Sequence, residues 1–240
     1  MNLAIFDIDG TLTCTNDVDS LCYVRAVQEE LDIDVSGLNW ADFTFVTDIG
    51  ITNQMFLQRF GRLPEIEEIE RLQRRLVRLL EEAHGSSPES FAAVAGAVDI
   101  IDWLQSQPDW RVGIATGCWQ ASAQMKLRAA RICVSGIPAA YCEDGQSREE
   151  VVRAAIERSR AAAQVQDFER IVSIGDGIWD IATAVQLSLA FVGVCVDGRD
   201  DPLRRRGATH VVRDFSDRDE ILRSLREAGV PRTSRGRGSG

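Results

Sequence analysis

The sequence predicts an α/β fold, a doubly wound parallel sheet whose first strand is followed by a helical insertion. Three observations predict it. From about residue 91 onward, short apolar runs alternate with amphipathic segments, the pattern of strands and helices in turn. Leu3-Ala4-Ile5-Phe6 has the same continuous apolar character, as expected of a strand covered on both faces. Between these two parts, residues 16–85 show helical spacing and no convincing strand.

Taken in order, Asp17 to Leu31 places Val18, Leu21, Cys22 and Val24 at helical spacing. Trp40 to Phe60 is mixed but helical in character. Pro64 to Ala83 is strongly charged, with Ile66, Ile69, Leu72, Leu76, Leu79 and Leu80 on one face. Gly85-Ser86-Ser87-Pro88 reads as a linker. A helix over Phe91 to Gln105, a strand over Trp110 to Ala115 and a helix near Trp119 to Arg131 follow. A short strand at Ala139 to Cys142, a helix from Arg148 to Ala163 and a strand at Arg170 to Ile174 come next. The chain then gives a helix from Ile178 to Leu187, strands at Leu189 to Val194 and Thr209 to Val212, and a helix at Asp219 to Ala228. These readings divide the chain into a core of residues 1–15 and 86–230, an insertion of residues 16–85, and a Gly/Ser/Arg-rich tail of residues 231–240 expected to be disordered.

Composition narrows the function classes. With 45% hydrophobic residues in 240, the chain can bury a sizeable core, and no apolar run approaches the roughly 20 residues that span a bilayer. A net charge of -10 argues against nucleic acid or an anionic membrane as partner. Asp7 and Asp9 interrupt the N-terminal apolar run too early for a signal peptide. Six cysteines without regular spacing suit reduced thiols in a cytoplasmic protein, and two histidines without a C-x-x-C make zinc improbable.

The chemistry gathers at predicted strand ends. Asp7 and Asp9 stand just beyond the first strand, two residues apart and on one side of an extended backbone, and such a pair calls for a cation or a proton. Gly10 allows the turn that leaves them at the carboxyl edge, where open α/β sheets hold ligands. At the next strand end, the hydroxyl of Thr116 and the turn amides at Gly117 offer a place for a phosphoryl oxygen. The fourth strand leads into Gly175-Asp176-Gly177-Ile178-Trp179-Asp180, with Asp180 in the first turn of a helix.

Asp7-Ile8-Asp9-Gly10-Thr11 resembles the first motif of the haloacid dehalogenase-like (HAD) superfamily, D-x-D-G-T; Thr116 resembles its second motif, and Gly175 to Asp180 its fourth. The resemblance covers residues 1–15 and 86–230 and implies the HAD-like Rossmannoid core. The insertion then resembles the α-helical C1 cap of phosphoglycolate phosphatase and β-phosphoglucomutase relatives. It implies a Mg²⁺-dependent phosphatase acting on a small phosphorylated metabolite. Asp7 would be the nucleophile that becomes an aspartyl phosphate and Asp9 the general acid/base. Asp7, Asp176 and the backbone carbonyl of Asp9 would hold Mg²⁺, with Asp180 in support. Thr116, Gly117 and a basic residue would hold the phosphate.

The sequence departs from the family's common Lys-Pro form for that basic residue. Arg148 is preferred, because Ser147-Arg148-Glu149-Glu150 reads as a capping box that puts Arg148 at a helix start. Lys126, the chain's only lysine, lies about two turns into a helix and is expected to be a solvated surface residue. Thr44 to Thr52 in the insertion is a candidate polar loop facing the site, or simply a helix-helix turn with a capping Asp. Arg59 and Arg62 are candidates for a second anionic group. Asp9 argues against a dehalogenase, and the lack of a lysine in the insertion argues against a phosphonatase. A phosphomutase and a non-catalytic binding protein of the same fold stay open.

Overall fold

The structure, a computed structural model, describes residues 1–33, 35, 39–198 and 200–232. Its strands are β1 (Asn2–Phe6), β2 (Trp110–Ala115), β3 (Ala139–Ala140), β4 (Arg170–Gly175), β5 (Ala190–Val194) and β6 (His210–Val212). They form one wholly parallel sheet of order β3-β2-β1-β4-β5-β6. The chain winds from β1 outward through β2 to β3, then returns to β4 on the other side of β1. The reversal point lies between β1 and β4, where Leu3 pairs with Ile171 and Phe6 with Ile174. A crevice opens at the carboxyl ends of strands at such a point.

Alternation along β1 explains why both faces are covered. Leu3 and Ile5 pack with Val151, Ala155, Ile181 and Phe191 on one face; Ala4, Phe6 and Ile8 pack with Ile100, Leu104, Leu127 and Phe215 on the other. All five β1 and loop residues Leu3, Ala4, Ile5, Phe6 and Ile8 are essentially inaccessible. Each such side chain contributes about 1.5–3 kcal/mol of burial. The flanking helices are α4 (Ala97–Ser106), α5 (Gln120–Ala129), α6 (Arg148–Ala163), α7 (Ile178–Gln186), α8 (Asp201–Arg205) and α9 (Arg218–Glu227), and the insertion supplies α1 (Asn16–Leu31), α2 (Asp48–Phe60) and α3 (Ile66–Ser86).

The insertion has its own core, in which Tyr23, Ala26, Val27, Phe56, Leu72, Leu76, Leu79 and Leu80 meet Trp119 and Met125 of the sheet domain. It joins the sheet domain through two adjacent segments, with Cys14 N–H donating to Ala92 O at 2.9 Å and Val94 N–H to Leu12 O at 2.9 Å.

Several boundaries differ from expectation. Only Trp40–Asp42 is helical, as a 3-10 turn, before α2 begins at Asp48, because the Thr47 hydroxyl accepts the Gly50 N–H at 3.0 Å and starts the helix there. α3 runs through Gly85 and Ser86, the expected linker, and stops at Ser87, one residue before Pro88. Ile66, expected on its buried face, is 72% exposed, since the helix's first turn carries it beyond its neighbours' packing. The helix expected from Phe91 begins at Ala97, and α8 was not anticipated. All six cysteines are free, as expected, and among the described residues no helix is long and apolar enough to cross a membrane. The tail expectation for residues 231–240 falls largely on residues 233–240, outside the described ones.

Candidate active site

The end of β1 delivers Asp7 into the crevice between β1 and β4. Its backbone N–H donates to Ile174 O at 3.0 Å, continuing the ladder, so its place is fixed by the sheet. Gly10 then turns at φ +72°, and a Cβ there would lie 2.2 Å from the Asp176 carboxylate. Glycine is therefore what lets the loops after β1 and β4 touch.

At the end of β4, Asp176 accepts from Asn16 Nδ2 at 2.7 Å, and Asp180 accepts the Gly177 N–H at 2.9 Å as α7 begins. One carboxylate oxygen each of Asp7, Asp176 and Asp180 come within 4.8 Å of one another. Arg148, at the start of α6, donates from Nη1 to Asp180 Oδ1 at 2.7 Å and stands 3.5 Å from Asp7 Oδ1. The predicted capping box is present: Ser147 Oγ accepts from Glu150 N–H, and Glu150 accepts from Ser147 N–H at 3.0 Å. Thr116, nearly inaccessible at the end of β2, accepts the Cys118 N–H at 3.3 Å. Gly117 sits where a side chain would press on Arg148 Nη2 and Val46 O, both 3.0 Å from the Cβ position. The structure thus brings together Asp7, Thr116, Gly117, Arg148, Asp176 and Asp180.

Lys126 is not a surface residue, contrary to the expectation. Its side chain is fully buried, and Nζ donates to Asp9 Oδ2 at 2.7 Å and to Asp19 Oδ1 at 2.6 Å. Helical side chains lean toward the helix N-terminus, so a residue two turns into α5 reaches back to the strand end rather than away from it. The signal was available in the pattern: Trp119, Ser122, Ala123 and Lys126 form one buried stripe.

The loop before α2 caps the helix and docks on the sheet domain, but the cap is Thr47 rather than the expected Asp, since Asp48 already lies in the helix. In the docking, Arg148 Nε donates to Val46 O at 2.9 Å, Thr47 Oγ1 to Gln146 O at 2.7 Å, and Asp48 N–H to Gly117 O at 2.8 Å. Asp48 in turn accepts the Trp119 N–H at 2.9 Å. Arg59 and Arg62 do not reach the site. Arg62 pairs with Glu68 at 2.7 and 2.8 Å and lies over the Phe56 and Phe60 rings. A cleft of about 290 Å³ between sheet domain and insertion is lined by Asp9, Asn16, Tyr23, Trp40, Arg148 and Trp179, among others. Asn16, Trp179 and Asp19 had not been singled out from sequence, because nothing in their local pattern separates them from ordinary helix-terminus and surface residues.

Electrostatics divide the two aspartates of the first motif. Burial, then the charge of Asp180, push the Asp7 carboxyl well above the ordinary range against the pull of Arg148. Burial and Asp180 likewise raise Asp176 to about 7, and burial raises Asp180. Burial acts on Asp9 too, but the charge and hydrogen bond of Lys126, with hydrogen bonds from Thr15 and Cys118, outweigh it and hold the group below its ordinary value. The Asp7 group therefore lacks positive charge. Asp7 Oδ1 and Asp176 Oδ1 are buried without hydrogen-bond partners, and a set of hard carboxylate oxygens suits a small divalent cation such as Mg²⁺. The residues present fit the ion.

Among curated proteins, none matches the sequence. Solved structures share the fold. A hydrolase from Pseudomonas syringae superposes with a TM-score of 0.66 at 21% identity, over 94% of this chain and 99% of that one. YfnB from Bacillus subtilis, bound to magnesium, gives 0.58 at 20% identity, over 92% and 98%. CbbY from Rhodobacter sphaeroides, in complex with phosphate, gives 0.56 at 16% identity, over 90% and 95%. The family model of haloacid dehalogenase-like hydrolases matches residues 1–187, a span that takes in β1, the insertion, and the ends of β2 and β4 with the carboxylates they carry, and the chain belongs to that family.

Proposed function

We propose that this hydrolase is a Mg²⁺-dependent phosphatase that cleaves a small phosphorylated metabolite through an aspartyl phosphate on Asp7. The observation that carries the reading is the grouping of Asp7, Asp176 and Asp180 within 4.8 Å, with Arg148 beside them and two buried carboxylate oxygens without hydrogen-bond partners. Asp7, Asp176 and the backbone carbonyl of Asp9 would hold the ion, with Asp180 fixing Arg148 and the start of α7. Bound there, Mg²⁺ supplies positive charge for the carboxylates and the transferred phosphoryl group. YfnB with magnesium and CbbY with phosphate lend the reading support from proteins of the same fold.

In the first step an Asp7 oxygen forms a bond to phosphorus, and the bond from phosphorus to the ester oxygen breaks in line with it. Arg148 balances charge on the phosphoryl oxygens, and Thr116 with the Gly117 turn orients them. Asp9 enters this step protonated, gives its proton to the departing oxygen and is left as the carboxylate. In the second step Asp9 takes a proton from a water molecule, which attacks phosphorus and releases phosphate from Asp7. The insertion docks beside the site, where it would limit the access of water.

Phosphate release from a panel of small phosphate esters tests the reading, with and without Mg²⁺ and with Asp7→Asn as blank. Release that requires both Mg²⁺ and Asp7 is the expected result. Transfer of phosphate between sugar positions, without net release, would favour a phosphomutase instead, and silence across the panel a binding protein.

A further inference from the structure

The ammonium of Lys126 has no accessible surface and three acceptors: Asp9 Oδ2 at 2.7 Å, Asp19 Oδ1 at 2.6 Å and Cys118 Sγ at 3.2 Å. These come from three separate parts of the chain, the loop after β1, helix α1 of the insertion, and the turn after β2. A buried ammonium must be paired, and carboxylates distant from any chemistry would serve for that alone. This one is paired with the aspartate that the reaction needs in a defined orientation. Asp9 is gripped at both oxygens, since Thr15 Oγ1 donates to Oδ1 while Lys126 Nζ and Cys118 Sγ meet Oδ2.

The type of residue matters as well. Every other basic side chain of Lys/Arg type in the sequence is arginine, yet here three acceptors surround a single nitrogen. A compact ammonium serves that geometry and a planar guanidinium does not.

We propose that Lys126 is a positioning residue of the hydrolase: it fixes the Asp9 carboxylate at the end of β1 and, through Asp19, ties its orientation to the placement of α1. The proposal rests on the phosphatase reading and adds to it a residue outside the motifs. Lys126 is fully buried and does not line the cleft, whereas Asp9, Asp19 and Cys118 do. Its loss should therefore slow turnover without weakening substrate binding.

The test is a double-mutant cycle read as separate kcat and KM values. Wild type, K126M, D9N and D9N/K126M are assayed with Mg²⁺ on an alkyl phosphate ester that the wild type turns over, and each is checked by thermal melting. K126M is expected to lower kcat about 100-fold, the size of effect of a misplaced catalytic group, with KM within about threefold. D9N/K126M should be no slower than D9N, because Lys126 acts through Asp9. D19N/K126M removes one of the two carboxylates that K126M leaves unpaired, so it keeps the measurement available where K126M folds poorly, and it should show the same loss in kcat. Additive losses in D9N/K126M, or full kcat in either Lys126 variant, overturn the proposal. Failure of both variants to fold makes Lys126 a purely structural residue and overturns it too. A wild type without Mg²⁺-dependent turnover overturns the phosphatase reading itself, whereas an active wild type with additive losses removes only the role of Lys126.

Discussion

Asp7 and Asp9 are separated by one residue and meet opposite fields, and the proposed mechanism gives them different parts. Burial, and then the neighbouring carboxylates, raise Asp7, so as the proposed nucleophile it calls for a cation before it can act ionised. Lys126 favours the ionised form of Asp9, the form that the first step leaves behind and that accepts a proton from water in the second, so Asp9 must carry a proton when each first step begins. Replacing Asp7 by Asn should bring Mg²⁺-dependent phosphate release to background while the melting temperature stays level or rises, because a buried repulsive charge is removed. Normal turnover in that variant would eliminate Asp7 as nucleophile. Asp9→Asn should cost roughly 10²–10⁴-fold on alkyl phosphates. In single-turnover measurements, the first step with p-nitrophenyl phosphate should lose far less, since its leaving group departs without a proton. Equal losses on both esters would remove Asp9 as the acid.

At the level of elements, the site depends on where helices begin. α6 starts at Arg148 because Ser147 caps it, and α2 starts at Asp48 because Thr47 does. Thr47 carries two bonds, one closing its own helix and one to Gln146 O beside the α6 cap. Thr47→Ala should therefore destabilise the protein by about 1–2 kcal/mol, as loss of an N-cap does. It should also raise KM, because the same residue docks the loop that lines the cleft; calorimetry and steady-state kinetics read the two effects. A stability loss with unchanged KM would show the docking bond to be dispensable. These starts were legible in sequence where the capping chemistry was local, as at Ser147 and Glu150. The strands were legible for a similar reason, since continuous apolar runs such as Leu3 to Phe6 describe burial on both faces. The facing of Lys126 is legible in the stripe it shares with Trp119, Ser122 and Ala123, but the reach of its side chain back to Asp9 and Asp19 is not, because those partners come from distant parts of the chain. The cleft residues Asn16 and Trp179 were missed because they become neighbours only when the insertion docks.

For the molecule as a whole, the acidic centre should couple stability to pH and to Mg²⁺. Asp7, Asp176 and Asp180 all have folded-state pKa values raised above the ordinary carboxylate value near 3.8, Asp176 to about 7. Above the ordinary value the folded chain binds more protons than the unfolded one, so this cluster's contribution to stability falls as pH rises from about 4 through the titration of Asp176 at about 7. Asp9 shifts the other way, but a lowered pKa takes effect below that window. A cation that binds the ionised cluster stabilises only the folded state, by about 2.7 kcal/mol at a hundredfold excess over Kd, or roughly 5–10 °C for a chain of this size. Protons compete for the same oxygens, so Mg²⁺ should raise the melting temperature markedly at pH 8 and little at pH 5.5. Asp176→Asn should abolish most of the Mg²⁺ effect at pH 8 while making the metal-free protein more stable there. Scanning calorimetry of wild type and variant, with and without Mg²⁺ at the two pH values, reads all of these terms. An equal Mg²⁺ shift at both pH values, or one that survives Asp176→Asn intact, would place the ion elsewhere and separate this acidic centre from metal binding.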